Sequence, residues 1–212
     1  QIDKPKPANR LRVAFLGAST TFCGEVSGDD KVWPYLVTEQ LKAAFPGREF
    51  DFINGGTPGY SIISMYDSLR QRIVQLQPDI IVIYEATNDF SSETRDLAVA
   101  RGITAAAETG REGWLQRNSL LWELVVKNLR VRDAQQLATA TSSKLQVDPK
   151  SLGKEYDVNF TRLVREAKSA AKVVAVATFS TRLRPEQTAE EKAAGAISAL
   201  VYMPFMSPDS LI

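Results

Sequence analysis

Three clusters of small and polar residues hold the groups that acyl transfer requires, and each follows an apolar run of the sequence. Residues 17–21 (GASTT) contribute a serine hydroxyl, residues 54–61 (NGGTPGYS) a glycine-rich turn, and residues 85–89 (EATND) an asparagine amide. In acyl transfer a hydroxyl attacks the carbonyl carbon, while backbone and amide N–H groups hold the oxyanion that develops. Ser19 is therefore the first candidate nucleophile.

Taken separately, each cluster has a simpler interpretation. The turn at 17–21 can bind a phosphate through its backbone N–H groups. Residues 54–59 can form an ordinary glycine and proline loop, and Asn88 and Asp89 can cap a helix. The ordered combination is more specific, because neighbouring parallel strands lie about 4.8 Å apart and turns that follow them converge on one small substrate.

The usual base for a serine nucleophile is missing, since none of the 212 residues is a histidine. The alternative bases are the nearest carboxylates in sequence, Glu25, Glu85 and Asp89. A carboxyl group with a pKa of about 4 is a poor base for a hydroxyl at neutral pH unless burial raises that pKa. The single cysteine, Cys23, excludes an internal disulfide. With no histidine to activate its thiol, we interpret it as a small buried side chain.

Composition argues against two classes of partner. The 26 basic and 25 acidic residues are interspersed and give a net charge of +1, so no surface for nucleic acid is predicted. No apolar stretch approaches the roughly 20 residues that span a bilayer, and no signal peptide is evident. With 44% hydrophobic residues, one domain over residues 11–212 can bury a sizeable core, and residues 1–10 are interpreted as a polar N-terminal tail.

Four apolar, β-branched runs predict the strands that carry these clusters. The predicted strands are residues 11–16, 50–53, 80–84 and 173–178. None alternates cleanly, as expected for parallel strands with helices on both faces. Helical patterns occupy residues 33–45 (apolar stripe Tyr35, Leu36, Leu41, Phe45), 63–76 (Met65, Leu69, Ile73, Leu76) and 156–171. Alternating strands and helices predict an α/β fold with three α/β/α layers, right-handed crossovers and a parallel flavodoxin-like sheet.

The interval between the third and fourth strands is longer than a crossover needs. Residues 90–150 are predicted to form an insertion over the carboxyl edge of the sheet, a lid or substrate cap, with one helix over 115–131. Ordinary crossover helices with loose connections are the alternative. A last helix is predicted over 189–202, and no further strand is evident after the fourth.

In combination, the three clusters resemble the SGNH (GDSL-type) hydrolases, over residues 11–90 and again at 173–180, which matches the family's fourth strand. The resemblance implies that Ser19 is the nucleophile and offers its own N–H to the oxyanion hole. It implies that Gly59 supplies a second backbone donor and that Asn88 supplies a side-chain donor. It also implies ester hydrolysis or acyl transfer without a metal or organic cofactor.

The chain departs from the family pattern at three places. Ala18 stands where the family usually has Asp, and Ala86 where it usually has Gly, although both are small enough for their turns. The family's catalytic Asp-x-x-His block, which follows a fifth strand, has no counterpart, because no histidine follows Asp209. Three explanations are open: a separate, cleaved or missing C-terminal part, a pseudo-enzyme that kept its binding site, or a different base.

These features predict a serine esterase that acts on ester bonds of acylated glycans or lipids, with a second polypeptide as the partner that completes the domain. One alternative is a flavodoxin-like module that binds a phosphate or a flavin, and another is a non-catalytic pseudo-enzyme that binds glycans or lipids.

Family members with similar first and second clusters are extracytoplasmic bacterial proteins. A periplasmic or secreted location is therefore expected, with the cytoplasm as the alternative.

Overall fold

The structure is a computed structural model that describes residues 2–85, 87–104, 129, 132, 144–178, 186–192 and 205–206. The helix predicted over 115–131 lies outside these residues except for Leu129. Of the helix predicted over 189–202, residues 189–192 are described, and they are helical. No helix in the described part of the chain is both long and apolar enough to cross a membrane.

Four parallel strands form one sheet, with the order β2-β1-β3-β4. The strands are β1 (Arg10–Gly17), β2 (Glu49–Gly56), β3 (Ile80–Tyr84) and β4 (Val173–Val176). This order is that of the first four strands of a flavodoxin-like sheet. The predicted strands and the α/β fold class are confirmed.

Helices cover both faces of this sheet, which is why the strands are apolar on both sides. The helices are α1 (Ser19–Phe22), α2 (Trp33–Ala44), α3 (Ile62–Ser68), α4 (Thr87–Ala100) and α5 (Lys154–Ala170). A π-helical turn (Leu69–Ile73) and a 3-10 turn (Val74–Leu76) continue α3. On one face, α3 and α5 enclose a core around Leu16, Ile81 and Ile83. On the other, α2 covers a cluster around Val13 and Phe15.

The buried face of α2 agrees only in part with the predicted stripe, of which Leu41 packs against the sheet and Tyr35 contacts the ring of Phe52. Leu36 and Phe45 were expected in the buried stripe but are 48% and 54% exposed. The residues that face the sheet are Pro34, Val37, Thr38 and Leu41. Their spacing is also helical, and the hydroxyl of Thr38 is buried without loss because it donates to the carbonyl of Pro34 (2.7 Å). Of the predicted stripe of Met65, Leu69, Ile73 and Leu76, the first three are buried as expected and Leu76 is partly buried.

A buried ion-pair network joins the N-terminal segment to the amino end of the sheet. Arg12 is fully buried and binds both carboxylate oxygens of Asp51, at 2.8 and 2.7 Å. Its guanidinium also donates to the carbonyl of Asp3 at 3.1 Å. Lys6 pairs with Asp79, which accepts the Arg12 N–H at 2.9 Å as well. The residues interpreted as a tail therefore contact the sheet through several charged groups.

The chain divides into two compact units. The first comprises Gln1–Asp89 and Lys154–Phe179, and it contains the sheet. The second comprises Phe90–Gly153 and Ser180–Ile212. In the second unit a parallel bridge joins Leu145 to Met206 inside a small apolar cluster. The interval predicted as a lid belongs to this unit, and its role as a lid stays a prediction.

Candidate active site

The three polar clusters begin at the same edge of the sheet because the strand ends are in register. Gly17, the last residue of β1, pairs with Gly56 of β2 and with Tyr84 of β3. One residue further on, the N–H of Thr57 donates to the carbonyl of Gly17 at 3.1 Å. All three turns thus leave the carboxyl edge of the first unit at one level, and that edge is where α/β proteins bind ligands.

Ser19 is the first residue of α1 and is exposed. This helix is a single turn, in which the carbonyl of Ala18 accepts the N–H groups of Thr21 and Phe22 at 3.1 and 2.9 Å. The N–H of Ser19 precedes these donors, so it has no acceptor within the helix. The local structure therefore presents both a hydroxyl and a backbone N–H at the end of β1.

Two glycines allow α1 to lie directly on the strand ends. A Cβ atom at Gly56 would be 2.3 Å from the backbone nitrogen of Phe22 and 2.6 Å from the carbonyl carbon of Thr21. A Cβ atom at Gly17 would be 2.0 Å from the hydroxyl oxygen of Thr21. At Gly56 no larger residue fits unless α1 moves. At Gly17 a Cβ atom would also be 2.6 Å from the carbonyl oxygen of Tyr84 in β3, so both glycines are needed for Ser19 to lie where it does.

The loop after β2 contains Gly59, and asparagine side chains form hydrogen bonds at the end of β2 and within the loop. Gly59 is exposed, has a φ of +79° and has nothing within 4 Å of a Cβ position, so open space lies beside it. The side-chain oxygen of Asn54 accepts the N–H of Gly56 at 3.0 Å. The side-chain amide of Asn88 donates to the carbonyl of Tyr60 at 2.8 Å. The structure therefore places Asn88 beside the loop that contains Gly59.

Glu85 joins the first and third clusters. It follows β3 directly and is 6% exposed. Its carboxylate accepts the N–H of Ala18 and the N–H of Asn88, each at 3.2 Å and each on a different oxygen. Because one carboxylate binds both groups, the two backbone nitrogens lie within about 9 Å of each other. The hydroxyl of Tyr156 donates to the Glu85 carbonyl at 2.7 Å.

The carboxylate of Asp89, in the first turn of α4, also accepts a backbone N–H group. It binds the N–H of Ile62, the first residue of α3, at 3.0 Å, and the helix dipole favours a negative group there. Burial raises the pKa of Asp89 and the nearby Glu155 adds to this, while the Ile62 N–H lowers it. Burial, together with the charges of Asp89 and Glu85, raises the pKa of Tyr156 to about 12.

These contacts show what the carboxylates of Glu25, Glu85 and Asp89, predicted as alternative bases, bind in the structure. The hydrogen bonds described for Glu85 and Asp89 go to backbone N–H groups, and Glu25 is exposed on the chain beyond α1. The structure thus gives the buried carboxylate of Glu85 and the half-buried carboxylate of Asp89 a role in holding the backbone. No group of three or more residues suited to a metal ion occurs among the described side chains.

Cys23 is partly exposed, and the prediction of a buried side chain is wrong. The residue ends α1 in the left-handed conformation, with a φ of 58°. This position lies at the surface end of a one-turn helix, where its thiol donates to the carbonyl of Thr20 at 3.2 Å.

A family comparison identifies the class of protein to which this chain belongs. A model of the GDSL-like lipase/acylhydrolase family matches residues 15–201. The chain belongs to this family. The predicted resemblance to SGNH (GDSL-type) hydrolases is therefore confirmed. Membership favours this family over the flavodoxin-like alternative.

Solved structures of two esterases are similar to this chain. One is a two-domain esterase (CEX) active on acetylated mannans, with 27% identity, a TM-score of 0.37 and coverage of 46% of this chain. The match spans about a quarter (27%) of that protein. The other is Axe2, an acetylxylan esterase from Geobacillus stearothermophilus, with 17% identity and a TM-score of 0.46, over 95% of this chain and 74% of that one. A comparison with curated proteins gave no match.

Proposed function

We propose that this chain is a serine ester hydrolase in which Ser19 is the nucleophile. The N–H groups of Ser19 and Gly59 and the side-chain amide of Asn88 bind the oxyanion. One observation carries the proposal: the ends of three neighbouring strands are in register, so that all three donors leave the same edge of one sheet. Family membership supplies the reaction class.

In the proposed reaction the hydroxyl oxygen of Ser19 attacks the acyl carbon while its proton passes to a base. The carbonyl oxygen becomes an oxyanion, which requires N–H donors at about 3 Å. The alcohol then leaves with a proton, and water hydrolyses the acyl-serine. Asn88 suits the donor role because its amide nitrogen carries two hydrogens. One binds the carbonyl of Tyr60, and the second is left for the substrate.

We assign the base to an Asp-x-x-His block that reaches Ser19 from a further polypeptide segment. None of the 212 residues is a histidine, and the described carboxylates beside the site hold backbone groups. The proposed substrates are esters of acylated glycans or lipids, outside the cytoplasm. The exposure of Ser19 supports this substrate class, because an ester on a bulky molecule can approach an exposed hydroxyl.

The proposal can be tested by supplying the base from solution. We expect imidazole to raise the rate at which p-nitrophenyl acetate acetylates Ser19, as measured by mass spectrometry of the peptide that contains it. The acetyl group stays on the serine long enough to be measured, because the alkyl ester of acetyl-serine is far less activated than the p-nitrophenyl ester and hydrolyses more slowly. The exposed Ser27, whose hydroxyl binds Lys31, is a matched control within the same molecule.

The expected result is that Ser19 is acetylated at least about tenfold faster than Ser27. Asn88→Ala should lower the rate at Ser19 by about 10²-fold and leave Ser27 unaffected, because a lost oxyanion donor costs about 10²–10³-fold. Equal rates at the two serines would overturn the proposed function.

A further inference from the structure

The carboxylate of Glu85 is buried between the two turns that carry Ser19 and Asn88. It accepts the N–H of Ala18, the residue before the nucleophile, and the N–H of Asn88 itself, each at 3.2 Å. Glu85 is only 6% exposed, and a buried carboxylate is stable only where such N–H donors replace water. The two turns therefore satisfy this carboxylate, and the carboxylate in turn fixes the two turns.

We propose that Glu85 is a positioning residue that sets the distance between the nucleophile turn and the oxyanion donor Asn88. The inference rests on the proposed function, because it gives Glu85 an effect on catalysis through groups that touch the substrate. The oxyanion hole needs its donors at about 3 Å from a single oxygen, and a displacement of about 1 Å can cost 10²-fold in rate. A bridge with one carboxylate oxygen on each turn restricts such a displacement.

The backbone of Glu85 is held from the opposite side as well. The hydroxyl of Tyr156, on α5, donates to the Glu85 carbonyl at 2.7 Å, and Tyr84, which precedes it, pairs with Gly17 in the sheet. The carboxylate therefore extends from a backbone position that two elements restrain. A bridge from such a position moves less than one that starts in a free loop.

Both carboxylate oxygens are necessary in this arrangement. A carboxylate offers two acceptors and no donor, whereas glutamine offers one acceptor and an NH₂ group that would face the second N–H. Glu85→Gln therefore keeps the shape of the side chain and satisfies only one turn. Glu85→Ala releases both turns.

Amide hydrogen exchange, measured by NMR on the whole chain, tests the bridge without any requirement for activity. We expect the N–H groups of Ala18 and Asn88 to exchange at least about tenfold faster in Glu85→Ala, and one of the two to do so in Glu85→Gln. The matched control is Glu93→Gln, since Glu93 accepts the N–H of Gly153 in the second unit. Glu93→Gln should raise the exchange rate of the Gly153 N–H and leave the exchange rates of the Ala18 and Asn88 N–H groups unchanged.

Unchanged exchange at Ala18 and Asn88 in the Glu85 variants would overturn the bridge. Should Glu85→Ala not fold, the isosteric Glu85→Gln decides the question, because it still predicts the loss of protection at one of the two amides. Loss at only one amide is an outcome that general destabilisation of the fold does not produce.

Acetylation of Ser19 in the presence of imidazole tests the positioning role. We expect Glu85→Gln to lower the maximal rate about tenfold with an unchanged half-saturating ester concentration, because the displaced donors act on the transition state. Lost amide protection with an unchanged rate would overturn the positioning role. If Ser19 of the unaltered chain reacts no faster than Ser27, the proposed function fails instead, and exchange alone decides whether Glu85 bridges the turns.

Discussion

The reactivity of Ser19 depends on how its hydroxyl loses a proton. The nearest carboxylates, on the buried Glu85 and the half-buried Asp89, accept backbone N–H groups, and the 212 residues offer no imidazole. In the isolated chain the remaining base is hydroxide ion from solution. Oxyanion stabilisation alone then leaves only a residual rate, so we expect this chain to hydrolyse activated esters feebly.

The first prediction concerns the pH dependence of that residual rate. With hydroxide as the base, acetylation of Ser19 should rise about tenfold per pH unit from pH 6 to pH 9, without a plateau. The measurement is the rate of peptide acetylation across this range. A plateau that disappears in Asp89→Asn would instead identify Asp89 as the base, since burial raises the pKa of that carboxyl.

The second prediction concerns Tyr156. Its pKa is raised to about 12 by burial and by the charges of Asp89 and Glu85, against an ordinary value of about 10. A raised pKa favours the neutral phenol in the folded state. Its stabilising contribution is therefore complete below pH 10 and is lost as the pH rises from about 10 to about 12.

Phenolate absorbance measures this shift directly. The difference between the unaltered chain and Tyr156→Phe should stay flat from pH 9 to pH 11. A change in the difference signal centred near pH 10 in the folded protein would show that Tyr156 is not buried beside the two carboxylates.

Local sequence was enough to place Ser19, Gly59 and Asn88 just after the ends of strands, because small and polar residues end apolar runs. Their roles in catalysis stay predictions. The bridge through Glu85 was beyond sequence reasoning, because its acceptors meet N–H groups from two different turns. Nothing in the residues near Glu85 distinguishes a bridge from a candidate base. Cys23 was misjudged because its exposure depends on where a one-turn helix ends.

At the scale of elements, α1 is held in place by its contact with the end of β2. A methyl group at Gly56 would be 2.3 Å from the Phe22 nitrogen, and backbone atoms cannot yield as a flexible side chain does. We expect Gly56→Ala to destabilise the fold by about 1–3 kcal/mol. For a chain of this size that lowers the Tm by roughly 2–12 °C.

The matched control for this third prediction is Gly24→Ala, just beyond the same helix. A Cβ atom there would contact only the ring of Phe22, at 3.0 Å, and that ring is half exposed and can turn. Calorimetry should show little change for this variant. Equal losses for the two variants would mean that α1 is not held by β2.

The strands and the two-sided core were predictable, whereas the rotation of α2 was not. Apolar runs bounded by glycine, proline and asparagine mark each strand, and their lack of alternation predicts helices on both faces. In α2 two apolar stripes compete, and the buried one includes Thr38. A count of apolar residues misses the buried stripe, because Thr38 is polar. Thr38 can be buried because its hydroxyl donates a hydrogen bond within the helix. Sequence patterns do not record such local hydrogen bonds.

At the scale of the whole molecule, β4 is the outermost strand of the described sheet. It pairs with β3 on one side, and Val173 and Val176 are each 52% exposed. Unpaired backbone groups and apolar side chains favour association at such an edge. A partner strand that covers about 200 Å² of apolar surface there would contribute about 5 kcal/mol to association.

The fourth prediction is that a polypeptide with a further strand and an Asp-x-x-His block binds this edge and restores esterase activity. Light scattering reports the complex, and hydrolysis of p-nitrophenyl acetate reports the activity. Val176→Lys should weaken both the complex and the esterase activity, because a charge on an edge strand opposes strand pairing. Since Val176 is 52% exposed, we expect the substitution to cost little stability. A 23.4 kDa monomer that gains neither partner nor activity would favour a pseudo-enzyme.

The bridge through Glu85 also has a consequence for biosynthesis. Ser19 and the carboxylate that supports its turn are separated by about 65 residues of chain, and β1 is paired on both sides only when β3 has been made. At 5–20 residues per second, a ribosome needs roughly 3 to 13 s to add that stretch. During this interval Glu85 does not yet hold the segment that carries the nucleophile, and β1 beside it has at least one unpaired edge. The site therefore folds during translation only after β3 has been synthesised. A factor that binds nascent chains would have its largest effect on the site before that point.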